Sequence, residues 1–366
     1  MNIGIIGAGQ LGRMLALAGY PLGLKFRFLD RSADTPGGQI APLVAGEFED
    51  RARLRELDTT VDVITFDWEN ISVAALDVIP ANRIRPPAPA LATSQDRLLE
   101  KQLFRELRIP TPPFTAVDSR ADLQHAVQRI GLPGVLKSRR FGYDGKGQAV
   151  VRSAADADAA WAQLGSQPLL YESFVNFTAE VSIIGARSTR GEIALYPLSA
   201  NTHSGGILRH TIAPFTRPAL ARLAQRYLRA ILRRFEYAGI LTVEFFVVGG
   251  RLLANEMAPR VHNSGHWTIE GAHTSQFENH LRAILGWPLG STAPRGHAAM
   301  INFIGALPER ERWLREPGLH FHDYGKAARP NRKVGHCTLV EPSASQRDLR
   351  LRRLLNRLGS QPGTTG

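Results

Sequence analysis

The sequence predicts an α/β protein that begins with a parallel-sheet domain and continues with α+β architecture. Short apolar strands at residues 3–6 and 26–29 alternate with helical patterns, which is the order of βαβ units and hence of a parallel sheet. The run Ile-Pro-Thr-Pro-Pro at 109–113 is too rich in proline for a helix or a central strand and indicates a boundary. A later hairpin pattern at 241–257 indicates antiparallel pairing. The predicted domains are a Rossmann-like domain at 1–108, a small lid domain at 109–187, and a large domain with the C-terminal part at 188–366.

Apolar periodicity and turn residues predict the individual elements. In the first domain, the remaining elements are strands Leu43–Ala45 and Val63–Phe66 and helices 13–20 and 95–107. In the second, they are helices Arg120–Ile130 and 155–164, a strand that ends in Lys137, a strand at 149–151, and strands 169–174 and 180–186. In the third, they are strand 192–197, helix 218–235, the hairpin 241–248 and 252–257, helix Gln276–Leu285, strands 299–304 and 334–340, and helix 344–358.

Composition bounds the class of protein. The 366 residues are 43% hydrophobic and 21% charged, which is ordinary for a globular protein, and no apolar run is long enough to cross a bilayer. A single cysteine, Cys337, excludes an intramolecular disulfide and fits a reducing cytoplasm. The net charge of +12 permits a nucleic-acid partner, but the arginines are dispersed and no nucleic-acid-binding motif is present, so neither a nucleic-acid nor a membrane partner is predicted.

The N-terminal glycine loop, residues 7–12, has the spacing G-x-G-x-x-G between a strand and a helix. Asp30 stands at the end of the next strand, where a dinucleotide-binding protein places the carboxylate that contacts a ribose. An NAD-dependent oxidoreductase is therefore one hypothesis. The same loop would serve any anion at a helix N-terminus, including a substrate phosphate.

A second glycine loop, residues 142–148, follows the strand that ends in Lys137. Its glycines allow the backbone to approach a phosphate chain closely, and Lys137 and Lys146 add positive charge. This pattern favours a lid over a nucleoside triphosphate, which a nicotinamide enzyme would not need.

The predicted hairpin carries two carboxylates in otherwise apolar strands, Glu244 and Glu256. Cross-strand neighbours on one face lie close together, and an unpaired carboxylate there would be costly. Magnesium prefers a few carboxylates together with phosphate oxygens, so the pair is predicted to bind a divalent cation.

Polar residues cluster directly after Glu256. Arg260 can grip an oxyanion with two hydrogen bonds, while His262, Asn263 and Ser264 can position a small substrate. A later basic run, with Lys326, Arg332 and Lys333, suggests a phosphate-monoester site.

These motifs together resemble 5-(carboxyamino)imidazole ribonucleotide synthases, a purine-biosynthesis family of the ATP-grasp superfamily. The resemblance covers nearly the whole chain, and its most specific part is Asn-Glu-Met-Ala-Pro-Arg-Val-His-Asn-Ser-Gly-His-Trp at 255–267. Further matching stretches are Asp96-Arg97 with Lys101-Gln102, 141–145, 206–208 and 332–336. Where members often have arginine in the second glycine loop, this chain has Lys146.

The resemblance implies a three-domain ATP-grasp architecture and a homodimer that uses ATP, Mg²⁺, bicarbonate and 5-aminoimidazole ribonucleotide. It implies an ATP site made of Arg97, Lys137, Gly142, Tyr143, Asp144, Gly145, Lys146, Gly147, Gln148, Glu172, Ser173, Phe174, Val175, Glu180, His203, Asn255 and Glu256. The substrate residues implied are Glu69, Tyr143, Asp144, Arg260, His262, Asn263, Ser264, Lys326, Arg332 and Lys333, with Glu244 and Glu256 holding magnesium.

The catalytic roles are predicted from charge. Arg260 is the candidate for holding bicarbonate, Asp144 or His262 for handling the amine proton, and Lys146 for contacting phosphate or carboxyphosphate. The expected products are 5-(carboxyamino)imidazole ribonucleotide, ADP and phosphate. A related ATP-grasp ligase that uses formate and glycinamide ribonucleotide would share the nucleotide site but differ in the cluster after Glu256. The oxidoreductase hypothesis explains the N-terminal glycine loop and Asp30 alone.

Overall fold

The computed structural model describes residues 1–142 and 147–359. Within them, the strands form three sheets that divide the chain in order. Tyr143, Asp144, Gly145 and Lys146 lie outside the described residues, so the interpretation of the second glycine loop rests on its two ends.

The N-terminal sheet is parallel, as predicted. Between successive strands, a crossover connection returns the chain to the same end of the sheet, so that all four strands run in one direction. Its order is β3-β2-β1-β4. The strands are β1 (Asn2–Ile6), β2 (Lys25–Asp30), β3 (Leu43–Ala45) and β4 (Val63–Phe66), and the helices are α1 (Gln10–Gly19), α2 (Arg51–Asp58), α3 (Ala88–Ser94) and α4 (Arg97–Glu106).

Helix α1 begins inside the glycine loop rather than at residue 13. The single helix expected at 95–107 is preceded by α3, and Asp96 caps α4 by accepting from the Leu98 N–H.

A four-stranded antiparallel sheet follows the proline-rich segment, with the order β5-β8-β6-β7. Its strands are β5 (Phe114–Val117), β6 (Gly134–Ser138), β7 (Gln148–Val151) and β8 (Leu169–Ser173), and its helices are α5 (Arg120–Ile130) and α6 (Ala154–Leu164). Apolar side chains of both helices pack on one face of this sheet and form its core.

The third sheet has nine strands in the described part of the chain, ordered β14-β13-β9-β11-β12-β15-β17-β16 with β10 beside β9. The strands are β9 (Ala179–Arg187), β10 (Ile193–Leu195), β11 (Ser199–Ser204), β12 (Ile207–Ala213), β13 (Gly239–Val248), β14 (Arg251–Ala258), β15 (His297–Ile304), β16 (Leu319–Asp323) and β17 (Lys333–Glu341). The helices are α7 (Pro218–Arg234), α8 (Thr268–Gly271), α9 (Gln276–Leu285), α10 (Arg310–Leu314) and α11 (Ala344–Gly359).

Two features of this sheet differ from the sequence expectation. Strand β9 pairs with β13 and β11, so the change from the small sheet to the large one falls between residues 173 and 179, before the expected boundary at 187. The hairpin of β11 and β12 was not predicted, because β11, Ser-Ala-Asn-Thr-His-Ser, has no large apolar residue to indicate a strand. The three-domain division itself stays a prediction.

No helix in the described residues combines the length and apolar character needed to cross a membrane.

Candidate active site

The N-terminal glycine loop surrounds a buried carboxylate. The Gly12 N–H donates to Asp67 Oδ2 at 3.0 Å, and the Ala8 N–H donates to Asp30 Oδ2 at 2.6 Å. A Cβ atom on Gly9 would lie 2.8 Å from Asp67 Oδ2, so glycine is required there by close approach. Two loop amides that could bind a pyrophosphate are thus already bonded to carboxylates. These two amides are therefore less available for a dinucleotide than the spacing of the loop suggests.

Asp67 was not singled out in the sequence, and its burial has a consequence for stability. Burial raises its pKa from an ordinary 3.8 to about 6, although the Gly12 N–H opposes the shift. Because the folded state holds this proton more tightly, the contribution of Asp67 to the free energy of unfolding is full below pH 3.8 and is lost as the pH rises through about 6.

Asp67→Asn cannot ionise, so its Tm relative to that of the parent protein is expected to increase between pH 5 and pH 8. The expected change is equivalent to about 1–2 kcal/mol. Thermal unfolding of both proteins across this pH range measures it. A Tm difference that does not vary with pH would contradict the assignment.

The two predicted metal carboxylates are directly opposite each other on β13 and β14. Glu244 and Glu256 are register partners, and a β-bulge follows because Phe245 pairs with Ala254, which leaves Asn255 as the extra residue. Burial and the charge of Glu256 raise the pKa of Glu244 to about 7, against the opposing effect of His203. The structure thus places the two carboxylates side by side, as the sequence predicted.

The neighbours of this pair come from both sides. The Asn201 side chain donates from Nδ2 to Glu244 Oε1 at 3.2 Å. Arg97 Nη1 lies 3.4 Å from Glu256 Oε2, and its Nη2 donates to the Gly142 carbonyl oxygen at 3.2 Å. Arg97 therefore bridges the Glu256 carboxylate and the start of the second glycine loop.

Lys137 belongs to a buried chain of alternating charges. It ion-pairs with Glu172, whose other oxygen, Oε2, is 3.1 Å from Lys101 Nζ. Burial alone would raise the pKa of Glu172, but the two lysines outweigh it and hold the pKa at about 2. Burial lowers the pKa of Lys137 despite Glu172. Lys137 is therefore placed at the end of β6 with a fixed counterion.

Several residues that the resemblance implies for the ATP site lie where the small sheet joins the central one. Glu172 and Ser173 end β8, and Phe174 and Val175 begin the connection to β9. On β9 and β11, Glu180 Oε2 and His203 Nδ1 are 2.6 Å apart. Gln148 begins β7, and the Gly147 carbonyl oxygen accepts from the Ser138 N–H at 2.7 Å, which anchors the far end of the second glycine loop.

Arg260 forms a two-bonded ion pair with Glu69. Its Nη2 donates to Glu69 Oε1 at 2.7 Å, and its Nε donates to Oε2. Glu69 follows β4, whereas Arg260 follows β14, so the pair joins the parallel sheet to the central one. Burial would raise the pKa of Glu69, but Arg260 lowers it. The guanidinium predicted to hold an anion is therefore held in place by a carboxylate.

The next three residues are fixed by hydrogen bonds. His262 Nδ1 accepts from the Ser264 N–H at 3.3 Å and lies 2.8 Å from Ser264 Oγ. Burial and the charge of Arg260 place the pKa of His262 well below its ordinary value, so the ring is neutral. Since Nδ1 accepts, the ring proton is on Nε2. Ser264 is fully buried against Ser182, which makes it a support for His262.

Asn263 exchanges two side-chain hydrogen bonds with Asn302, at 3.0 and 2.6 Å. Asn302 lies on β15 and also donates to the Leu208 carbonyl oxygen. Nothing in the sequence indicated this partner.

The late basic run approaches the helix that follows the N-terminal glycine loop. Lys326 Nζ contacts Gln10 Oε1 at the start of α1, and Arg332 Nη1 donates to the Ala327 carbonyl oxygen at 3.3 Å. The charge of Lys333 acts on Glu69, whose pKa it lowers. The run therefore adds positive charge on the side of the site formed by the N-terminal glycine loop.

Sequence reasoning selected Arg97 on α4 but assigned no role to Glu100 or to Asp96, the residue that caps this helix. Glu100 is buried, and burial together with the charge of Glu256 raises its pKa to about 8. Asp96 holds Arg139 by two hydrogen bonds, at 3.0 and 2.6 Å. The signal was available, since charged residues on the apolar side of a helix need buried partners.

Comparison with known proteins agrees with this geometry. Residues 1–95 match the ribonucleotide synthetase preATP-grasp domain, 102–277 the ATP-grasp domain, and 298–350 the phosphoribosylaminoimidazole carboxylase C-terminal domain. The chain is 51% identical over 343 residues to the N5-carboxyaminoimidazole ribonucleotide synthase of Pseudomonas aeruginosa, covering 93% of this chain and 94% of that protein.

Solved structures give the same result. The N5-carboxyaminoimidazole ribonucleotide synthetase of Thermus thermophilus superimposes with a TM-score of 0.92 at 51% identity, covering 99% of this chain and 100% of that one. The N5-carboxyaminoimidazole synthase of Aspergillus clavatus, in complex with ADP and 5-aminoimidazole ribonucleotide, superimposes with a TM-score of 0.91 at 30% identity, covering 98% and 99%. The chain belongs to the N5-carboxyaminoimidazole ribonucleotide synthase family of ATP-grasp ligases.

Proposed function

We propose that the protein joins bicarbonate to the amine of 5-aminoimidazole ribonucleotide through carboxyphosphate, in the ATP-dependent carboxylation that its family contributes to purine biosynthesis. The observation that carries this proposal is the in-register pair Glu244 and Glu256, one arginine away from the second glycine loop and on the strand that leads into Arg260. A triphosphate and an anionic acceptor would meet in this region.

The carboxylate pair fits a divalent cation. Both side chains offer oxygen ligands, and burial, with the charge of Glu256, raises the pKa of Glu244, so a bound cation would favour the ionised pair. The described residues contain no group of three or more His, Cys, Asp or Glu side chains arranged for a metal. Bound Mg²⁺ would neutralise charge on the phosphoryl oxygens, and Glu244 and Glu256 are the residues proposed to hold it.

The first chemical step forms one bond and breaks one. A bicarbonate oxygen attacks the γ-phosphorus in line, and the bond from phosphorus to the ADP oxygen breaks. Lys137 offers positive charge to the phosphoryl group, and Arg260, fixed by Glu69, holds the bicarbonate. Closure of the second glycine loop would keep water from the carboxyphosphate.

In the second step the amine nitrogen attacks the carbonyl carbon, phosphate leaves, and the nitrogen loses a proton. The neutral His262 carries its proton on Nε2, so we assign it hydrogen-bond donation to the reacting carboxyl group. The acceptor of the amine proton is then Asp144, the other candidate that charge predicts, which lies outside the described residues. Lys146 is proposed to contact phosphate on the same basis.

Oxygen-labelled bicarbonate tests the intermediate. If bicarbonate oxygen attacks phosphorus, phosphate released from ¹⁸O-bicarbonate carries one labelled oxygen, which mass spectrometry detects. Released phosphate without label, with full carboxylation, would exclude carboxyphosphate. The reaction must be stopped early, because bicarbonate loses its labelled oxygen by exchange with water.

A homodimer and a cytoplasmic location are proposed from the family resemblance. The supporting feature for the latter is the lone thiol of Cys337, which is buried in the core beside β15. Sedimentation of the purified protein tests the dimer.

A further inference from the structure

Strand β14 carries Asn255 and Glu256 at the edge of the central sheet, where one side has no neighbouring strand in the described chain. An edge strand leaves a row of N–H and C=O groups without ladder partners. The bulge at Asn255 interrupts the ladder on the other side as well. Pairing with β13 alone therefore does not fix the position of these two residues.

Helix α4 and the segment that follows it supply partners on either side of the bulge; from that segment, the Pro110 carbonyl oxygen accepts from the Ala254 N–H at 2.7 Å. Glu100 Oε1 accepts from the Met257 N–H at 2.6 Å, and Lys101 Nζ donates to the Ala254 carbonyl oxygen at 3.2 Å. Thr111 Oγ1 donates to the same carbonyl at 2.9 Å. Glu100 and Lys101 are each only 2% exposed. The two residues between these anchor points are the ones that the nucleotide site uses.

The same helix also reaches the lysine strand. Lys101 lies 3.1 Å from Glu172 Oε2, and Glu172 in turn pairs with Lys137. One turn earlier, Arg97 contacts both Glu256 and the start of the second glycine loop. Helix α4 therefore connects the central sheet to the four-stranded sheet across the site.

We propose that Glu100 and Lys101 are positioning residues, which hold the bulged edge of β14, and with it Glu256, at a fixed place relative to Lys137. Glu100 accepts from the Met257 N–H and thereby fixes the position of the neighbouring Glu256 carboxylate. Lys101 fixes the strand at the Ala254 carbonyl. It also shares Glu172 with Lys137, so that Glu172 does not fully neutralise Lys137 and part of the positive charge remains available to a phosphate. The proposal rests on the assignment of Glu256 to the metal.

Calorimetric titration of ADP with and without Mg²⁺ tests the proposal without turnover. In the parent protein, Mg²⁺ should tighten ADP binding. Glu100→Met removes the acceptor at similar size and should weaken the Mg²⁺-dependent part about tenfold, the order expected for one buried hydrogen bond. It should leave ADP affinity without Mg²⁺ within about twofold. Glu100→Gln keeps the acceptor oxygen and should restore the effect of Mg²⁺.

Lys101→Met should act differently. Without Lys101, the charge of Glu172 is balanced by Lys137 only, which leaves Lys137 less positive charge for the ADP phosphates. The affinity for ADP without Mg²⁺ should therefore fall about tenfold. Leu103→Ala is the matched control: Leu103 is a buried residue of the same helix that packs in the central core, so its loss destabilises α4 without removing these hydrogen bonds. An equal loss of the Mg²⁺ effect in Leu103→Ala would overturn the positioning role.

Glu256→Gln separates the two proposals. If it abolishes the Mg²⁺ effect while Glu100→Met keeps it, the positioning role is overturned and the metal site stands. If Glu256→Gln keeps the Mg²⁺ effect, the metal assignment fails and the role of Glu100 fails with it. The expected result is that Glu256→Gln and Glu100→Met both weaken the effect of Mg²⁺ on ADP binding and that Glu100→Gln retains it.

Discussion

Glu256→Gln and Glu244→Gln are each expected to lower the carboxylation rate about 10²–10³-fold, because a carboxylate that holds a charge-neutralising cation is worth several kcal/mol in the transition state. The concentration of Mg²⁺ for half-maximal rate should rise in both variants. Steady-state rates at varied Mg²⁺ measure the effect.

Stability distinguishes a lost ligand from a damaged fold. The Glu244 carboxylate is largely buried and its pKa is raised to about 7, so Glu244→Gln removes an unfavourable charge and should not lower the Tm measured without metal. Glu106→Gln, an exposed carboxylate on α4, is the control and should leave the rate unchanged. Normal Mg²⁺ dependence in both active-site variants would contradict the metal assignment.

Arg260→Gln is expected to reduce carboxylation by about 10²–10³-fold and to destabilise the protein by about 2–3 kcal/mol. The first effect follows from loss of the bicarbonate contact. The second follows because Glu69, which is mostly buried, loses two charged hydrogen bonds. Rate measurements and denaturant unfolding give the two values separately.

The double variant Glu69→Gln with Arg260→Gln separates the structural contribution from the catalytic one. Replacing both partners leaves no buried unpaired charge, so most of the lost stability should return. Carboxylation should not return, because no guanidinium faces the anion. Recovery of the rate in the double variant would mean that Arg260 acts only by neutralising Glu69.

The confirmed parts of the sequence prediction are local ones. The parallel N-terminal sheet follows from alternating strands and helices, each readable within about 30 residues. Although the bulge at Asn255 is what brings Glu256 rather than Asn255 opposite Glu244, the hairpin itself follows from the turn at Gly249 and Gly250, where the structure has positive φ angles. Such features depend on neighbours in sequence and are therefore visible in it.

The missed parts depend on distant partners. Asp67 enters the N-terminal glycine loop from 55 residues away, and Glu100 reaches Met257 across 157 residues. Strand β9 is apolar enough to suit either sheet, so its pairing with β13 could not be read from its own residues. The family resemblance selected both Glu69 and Arg260, but their ion pair appeared only when the two sheets were placed together.

ADP release with Mg²⁺ and bicarbonate, measured with and without 5-aminoimidazole ribonucleotide, tests the central claim most directly. Strong stimulation by the nucleotide, with bicarbonate required, is the predicted result. ATP hydrolysis that does not respond to 5-aminoimidazole ribonucleotide would contradict the assigned acceptor, and an absence of ATP turnover would contradict the ligase activity itself.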